Sequence, residues 1–216
     1  MTPDYNRAAI MAAETLVKYN VQETPVAPLP ILEKMENVIV LSFAELGDLS
    51  GVDRSEIVSM MGKNRDAITS KHTEGGKTRY IVAYNKALPF GFVQRALARE
   101  LGHIILDHDK FSKENTEEAN CFACHLLCPR PLIHIAQATG IRITVDMMAN
   151  LTGLFDQSLT YIRHLPGTDV PANLNSFVRS QFMPFFLNVF DYYQTAKPND
   201  GSALADFGTY MDNYKE

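Results

Sequence analysis

Apolar positions recur at helical spacing near the start of the chain. Ala8, Met11, Ala12, Thr15 and Leu16 share one face and predict a helix over residues 4–19. Prolines at 25, 28 and 30 then break the chain. A short helical turn follows, and the β-branched run Val38, Ile39, Val40 predicts a strand near Val38–Phe43. Residues 45–62 show no clean period and read as a loop carrying a short helix. Gly75-Gly76 marks a turn, with a strand near 79–84 behind it. The period then lengthens. One helix is predicted from Phe90 to Asp107 and another from Thr116 to Leu127, the second stopped by Pro129 and Pro131. The polar stretch between them reads as a turn or an exposed lip. Further helices are expected at 132–138, 144–151 and 155–164. The aromatic block Phe177–Tyr193 reads either as core packing or as a partner surface, and the last fifteen residues, behind Asn199-Asp200-Gly201, as a mobile tail. The elements divide into 1–165, with a small sheet ahead of a helical part, and a C-terminal helical and aromatic extension, 166–216.

Composition narrows the classes of function. The chain of 216 residues carries 46% hydrophobic and 21% charged residues, as globular proteins do. Its net charge of −5 and lack of a dense Lys/Arg block disfavour direct nucleic-acid binding. No apolar run is long enough to cross a membrane, and the N-terminus does not read as a signal peptide. The three cysteines lie within Cys121–Cys128 and make no disulfide framework, which fits a reducing cytoplasm. Cys121, Cys124 and Cys128 form C-x2-C-x3-C on a predicted helix with no fourth cysteine, so they read as small apolar residues rather than a cluster site. The stretch TEGGKT at 73–78 lacks the glycine spacing of a phosphate loop and reads as a hairpin turn.

The candidate chemistry sits on the two central helices. RALARELGHIILDH, residues 95–108, resembles the H-E-x-x-H helix of a zinc peptidase with Arg99 at the first histidine. In that motif two histidines four apart hold the metal, and the glutamate beside the first acts as general base. Here Glu100 holds the base position and His103 the second ligand position. On the next helix Glu118 is placed to face the first, so His103 and Glu118 are expected to meet between them. A guanidinium has no acceptor and cannot ligate zinc. Arg99 therefore blocks the metal position, and a salt bridge from Arg99 to Glu118 is the favoured way to fill it. Cys121 and His125, on the Glu118 side, are substitute ligands in an alternative set. His108 is a poorer candidate, about 140° around the helix from His103 unless the helix ends early and the chain turns back.

YIVAYN (80–85), RALARELGHIILDH and EEANCFACHLLCP (117–129) together resemble the ImmA/IrrE family of metallopeptidase-like proteins, whose members typically carry A-H-E-L-G-H and E-A-N-x-F-A-x-x-L-L-M-P. The resemblance implies an α+β, zincin-like fold: a small mixed sheet on a helical core, with additional C-terminal helices. It implies His103 and Glu118 as metal ligands and Glu100 as base, with Arg99 departing from the pattern. It also implies a regulatory protein, of a kind carried by phages and integrative elements, that acts on or binds a helix-turn-helix repressor. Zinc and no metal at all remain open alternatives. So do three functions: a degenerate site that binds a protein partner, an active zinc endopeptidase with rearranged ligands, and a non-catalytic assembly protein.

Overall fold

The computed structural model describes residues 2–61, 66–110, 112–131, 135, 149, 151–153 and 168–195. Along the chain these form α1 (Tyr5–Lys18), α2 (Pro28–Glu33), β1 (Val38–Ser42), α3 (Phe43–Ser50), α4 (Arg54–Met61), β2 (Ala67–Glu74), β3 (Lys77–Tyr84), α5 (Phe90–Ile105), α6 (Lys113–Leu127) and α7 (Ala172–Thr195). The architecture is α+β, with a three-stranded mixed sheet in the order β1-β3-β2. β1 runs parallel to β3, with Val40 opposite Val82, and β2 runs antiparallel to it, with Thr69 opposite Val82. The expected helices at 132–138, 144–151 and 155–164 lie mostly outside the described residues, and the C-terminal tail wholly so.

Alternation along β3 decides what each sheet face covers. Tyr80, Val82 and Tyr84 turn inward onto a core that includes Leu97 and Leu101 of α5, Phe122 and Leu126 of α6, and Leu16 of α1. Ala83 turns the other way and meets Phe43 and Ile57 from α3 and α4. Farther along that outer face, Ile39 and Ile81 stand opposite each other and exposed. α5 and α6 approach closely at Gly102: a Cβ there would lie 3.0 Å from Phe122 Cδ1 and 3.2 Å from the Ala119 carbonyl oxygen. This contact sets the two helices bearing the candidate site side by side. The aromatic C-terminal block is helix α7, which adds Val178, Phe182, Phe186 and Val189 to the main core while Phe177 and Leu187 face out. Gln181 fastens it by donating to the carbonyls of Leu16 and Val21.

Two local features differ from the sequence reading. Pro28 and Pro30 lie inside α2 rather than breaking the chain. They occupy its first turn, where backbone N–H groups have no helical partner to lose. Residues 45–62 carry most of two helices, and the first opens on a capping box: Ser42 Oγ accepts from the Glu45 N–H at 3.2 Å while Glu45 accepts from the Ser42 N–H at 2.6 Å. Gly51, at φ 71°, ends it in the left-handed conformation that glycine tolerates. The hairpin turn expected at 73–78 is present, with Gly75-Gly76 joining β2 to β3. Ser42→Ala removes the cap and is expected to cost about 1 kcal/mol of unfolding free energy, measured by urea denaturation.

Candidate functional site

α5 places Arg99 and Glu100 beside β2. Arg99 donates through Nε and Nη2 to Glu100 Oε1 at 3.2 and 3.1 Å, and through Nη2 to the Ala67 carbonyl at 3.5 Å. Thr69 donates its hydroxyl to the other carboxylate oxygen, Glu100 Oε2, at 2.9 Å. Glu100 is 2% exposed, so a buried anion is clamped on both oxygens. The ion pair of Arg99 is with Glu100, its sequence neighbour, and not with Glu118. The guanidinium is drawn toward the sheet because a buried carboxylate and a strand carbonyl both face it there.

His103 and Glu118 each contact a third residue, His108, which stands between them. α5 ends at Ile105, and Asp107 adopts φ 52°, the left-handed region that Asp enters more readily than most residues. The chain reverses, His108 N–H bonds to the His103 carbonyl at 3.0 Å, and the His108 ring swings back over α5. Its Nδ1 lies 2.9 Å from His103 Nδ1, and its Nε2 lies 3.2 Å from Glu118 Oε2. A carboxylate only accepts hydrogen bonds. His108 Nε2–H therefore donates to Glu118, and the bond between the two Nδ1 atoms runs from whichever ring carries its proton there. Burial, together with neighbouring His108 and Arg99, holds the His103 pKa down to about 4, so its imidazole is neutral at physiological pH.

The first helix completes this arrangement. The Asp4 N–H donates to Glu118 Oε1 at 2.8 Å, Tyr5 donates its hydroxyl to Glu117 at 3.3 Å, and Arg7 donates to the Leu106 carbonyl at 2.8 Å. From the sheet side Lys71 bridges to Asp107 at 2.8 Å and to Asp109, and these carboxylates raise its pKa. A cleft of about 220 Å³ opens here, with Thr69, Lys71, Tyr80, His103, His108 and Asp109 in its walls. β2 forms its strand side. The bond from the Asn85 N–H to the Asp66 carbonyl fixes the ladder phase, so the N–H and C=O of Thr69, Lys71 and Thr73 point to the outer edge of β2. Among the described residues no strand pairs with that edge.

The two substitute ligands lie elsewhere in their contacts. Cys121 directs its thiol to the Tyr5 carbonyl at 3.7 Å, and burial pushes its pKa up to about 12. Burial also pushes the thiols of Cys124 and Cys128 up to about 12, as suits small apolar residues in a core. His125 pairs with the Thr168 hydroxyl at 3.3 Å, and burial, then Arg130, lowers its pKa to about 4.

The donors present do not fit a zinc ion as they are arranged. Two nitrogens on one tetrahedral zinc, each about 2.05 Å from the metal, stand about 3.3 Å apart and both point at it. His103 and His108 are closer, at 2.9 Å, and point at each other. The second nitrogen of His108 is committed to Glu118. Among the described residues no group of three or more His, Cys, Asp or Glu side chains is arranged to hold a metal ion. Nor, among them, is any helix long and apolar enough to cross a membrane.

A protein-family model described as the IrrE N-terminal-like domain, a family classed among the peptidases, matches residues 56–163, half of the chain. No curated protein matches, and no solved structure does.

Proposed function

This chain belongs to the IrrE N-terminal-like family, and from that premise we propose that it is a regulatory protein of the IrrE/ImmA type that holds a protein partner without cutting it. The scaffold is read as zincin-like, and the partner as a protein such as a helix-turn-helix repressor. Membership makes a metal cofactor plausible for the family in general, but the reading for this chain is a degenerate site. One observation carries it: Glu100, the residue at the base position, has one oxygen on Arg99 and the other on Thr69. A general base must present a lone pair to a water it can deprotonate. A carboxylate tied to a guanidinium and a hydroxyl, inside the protein, is poorly placed to do so.

Binding needs none of that chemistry. The outer edge of β2, with which no strand pairs among the described residues, lies beside the cleft, and an extended segment of a partner can add to it as a further strand. The partner's side chains would then alternate between solvent and the walls formed by Tyr80, His103 and His108. Three reduced, buried thiols are consistent with a cytoplasmic setting.

The test pairs metal analysis with a cleavage assay. Purified protein is expected to carry well under one zinc per chain and to leave a helix-turn-helix repressor intact. Isothermal titration calorimetry is expected to show a one-to-one complex that survives Glu100→Gln. Chelator-sensitive cleavage abolished by that same substitution would overturn the reading in favour of an active zinc endopeptidase.

A further inference from the structure

The imidazole of His108 stands where a metal would join α5 to α6, and we infer that it is a built-in replacement for the ion: it cross-links His103 to Glu118 and bars zinc even from a restored ligand set. This rests on the reading that the present site holds no hydrolytic metal. Two obstacles then separate the chain from zinc binding, and Arg99 is only one of them.

The geometry is that of a bridge. A metal shared by His103 and Glu118 needs a donor pair separated by one ion. Here the pair is separated by a ring that touches both, Nδ1 to His103 at 2.9 Å and Nε2 to Glu118 at 3.2 Å. The side chain of His108 is only 6% exposed, so it is packed in place rather than lying across an open mouth. Its loop is fixed from two directions. Arg7 of α1 holds the Leu106 carbonyl, and Lys71 of β2 holds Asp107 and Asp109 on either side of His108. Glu118 is fixed in turn by the Asp4 N–H. For zinc to enter, the ring must leave, and two hydrogen bonds and these anchors oppose that.

The consequence concerns the obvious repair. Arg99→His restores a histidine one turn before His103, yet the position it would share with His103 and Glu118 is still filled. His108→Ala vacates the position but leaves only two of the three ligands. Only the two changes together supply both ligands and space.

Four proteins test this: the natural chain, R99H, H108A and R99H/H108A. Each is titrated with zinc chloride alone by calorimetry, analysed for metal after dialysis, and melted with and without zinc. The double variant is expected to bind one zinc at least about a hundredfold tighter than either single variant, and to melt higher with zinc present. The other three are expected to show only weak binding and no zinc-dependent melting shift. If R99H alone binds as tightly as the double variant, His108 is no barrier and the inference fails, while the non-hydrolytic reading of the natural chain stands. If the natural chain binds one zinc and loses it in H108A, His108 is a ligand and both readings fall. A cooperatively folded double variant that binds no zinc also overturns the inference. Should H108A not melt cooperatively, H108S replaces it in both backgrounds.

Discussion

Arg99→Met is expected to destabilise the protein by on the order of 3 kcal/mol, measured by urea denaturation at neutral pH. The size follows from what is left behind. Glu100 is 2% exposed, and R99M removes the two hydrogen bonds and the positive charge that Arg99 sets against the burial of its carboxylate. Glu100→Gln is expected to cost less. The Arg99 side chain is 22% exposed and can turn its donors toward water, while a neutral amide still accepts from Thr69. The double variant R99M/E100Q should recover a large part of the R99M loss, because it removes the buried charge that Arg99 no longer balances. A double-mutant cycle then reports a coupling well above the scatter of additive sites, about 0.5 kcal/mol. If R99M lies within that scatter of the natural protein, the pair is not a buried tie. Its role in disabling the base would lose its physical basis.

The site was legible in the sequence as a pair of helices, and less so as a set of contacts. Spacing alone put Glu100 and His103 on α5 and Glu118 on α6, and predicted that His103 and Glu118 would come together. The partner of Arg99 was a different matter. Helical angles suggested a reach across to α6, but Glu100 and the Ala67 carbonyl offer nearer acceptors beside β2. His108 ranked low because extending α5 through Asp107 carries it away from His103. The helix ends two residues sooner, and one left-handed residue reverses the chain. An Asp just before His108 was the available hint, since Asp accepts that conformation more readily than most residues. The contribution of α1 left no sequence trace. Nothing local connects Asp4 with Glu118, 114 positions away.

The fold shows the same division between strong periodic signals and weak ones. α1, α5 and α6 follow from helical spacing, β1 from its β-branched run and β3 from its place behind the Gly75-Gly76 turn. The extent of β2 is not readable, although the hairpin turn implies a strand there, because AITSKHTE is polar along most of its length, as suits an edge strand whose far end is exposed. α3 was hidden differently: Ser42-x-x-Glu45 and Gly51 are start and stop signals for a helix, but the weak apolar period between them masked it. The aromatic block reads as either core or surface, and α7 is both, with one face in the main core and Phe177 exposed.

Acid is expected to weaken the fold in a window that isolates the buried histidines. His103 and His125 each have a folded pKa near 4, against about 6.5 when exposed. Below pH 6.5 the unfolded chain takes up protons that the folded chain refuses. Stability therefore falls as pH drops from about 6.5 to about 4, by about 1.4 kcal/mol per unit for each such group, and levels off once the folded state also binds them. Across the window that is on the order of 3 kcal/mol for each histidine. Carboxylates such as Asp107, whose pKa Lys71 lowers, also cause loss of stability in acid, but they do so at and below the usual carboxylate range. Among the described residues with a resolved shift, the histidines are the groups that act between pH 6.5 and 5. Urea midpoints measured across it should decline in the natural protein and decline less in His125→Gln, whose amide can still bond to Thr168 without taking a proton. Parallel profiles for the two proteins would mean that His125 takes up its proton as readily folded as unfolded, which a closed pocket around Thr168 would not permit.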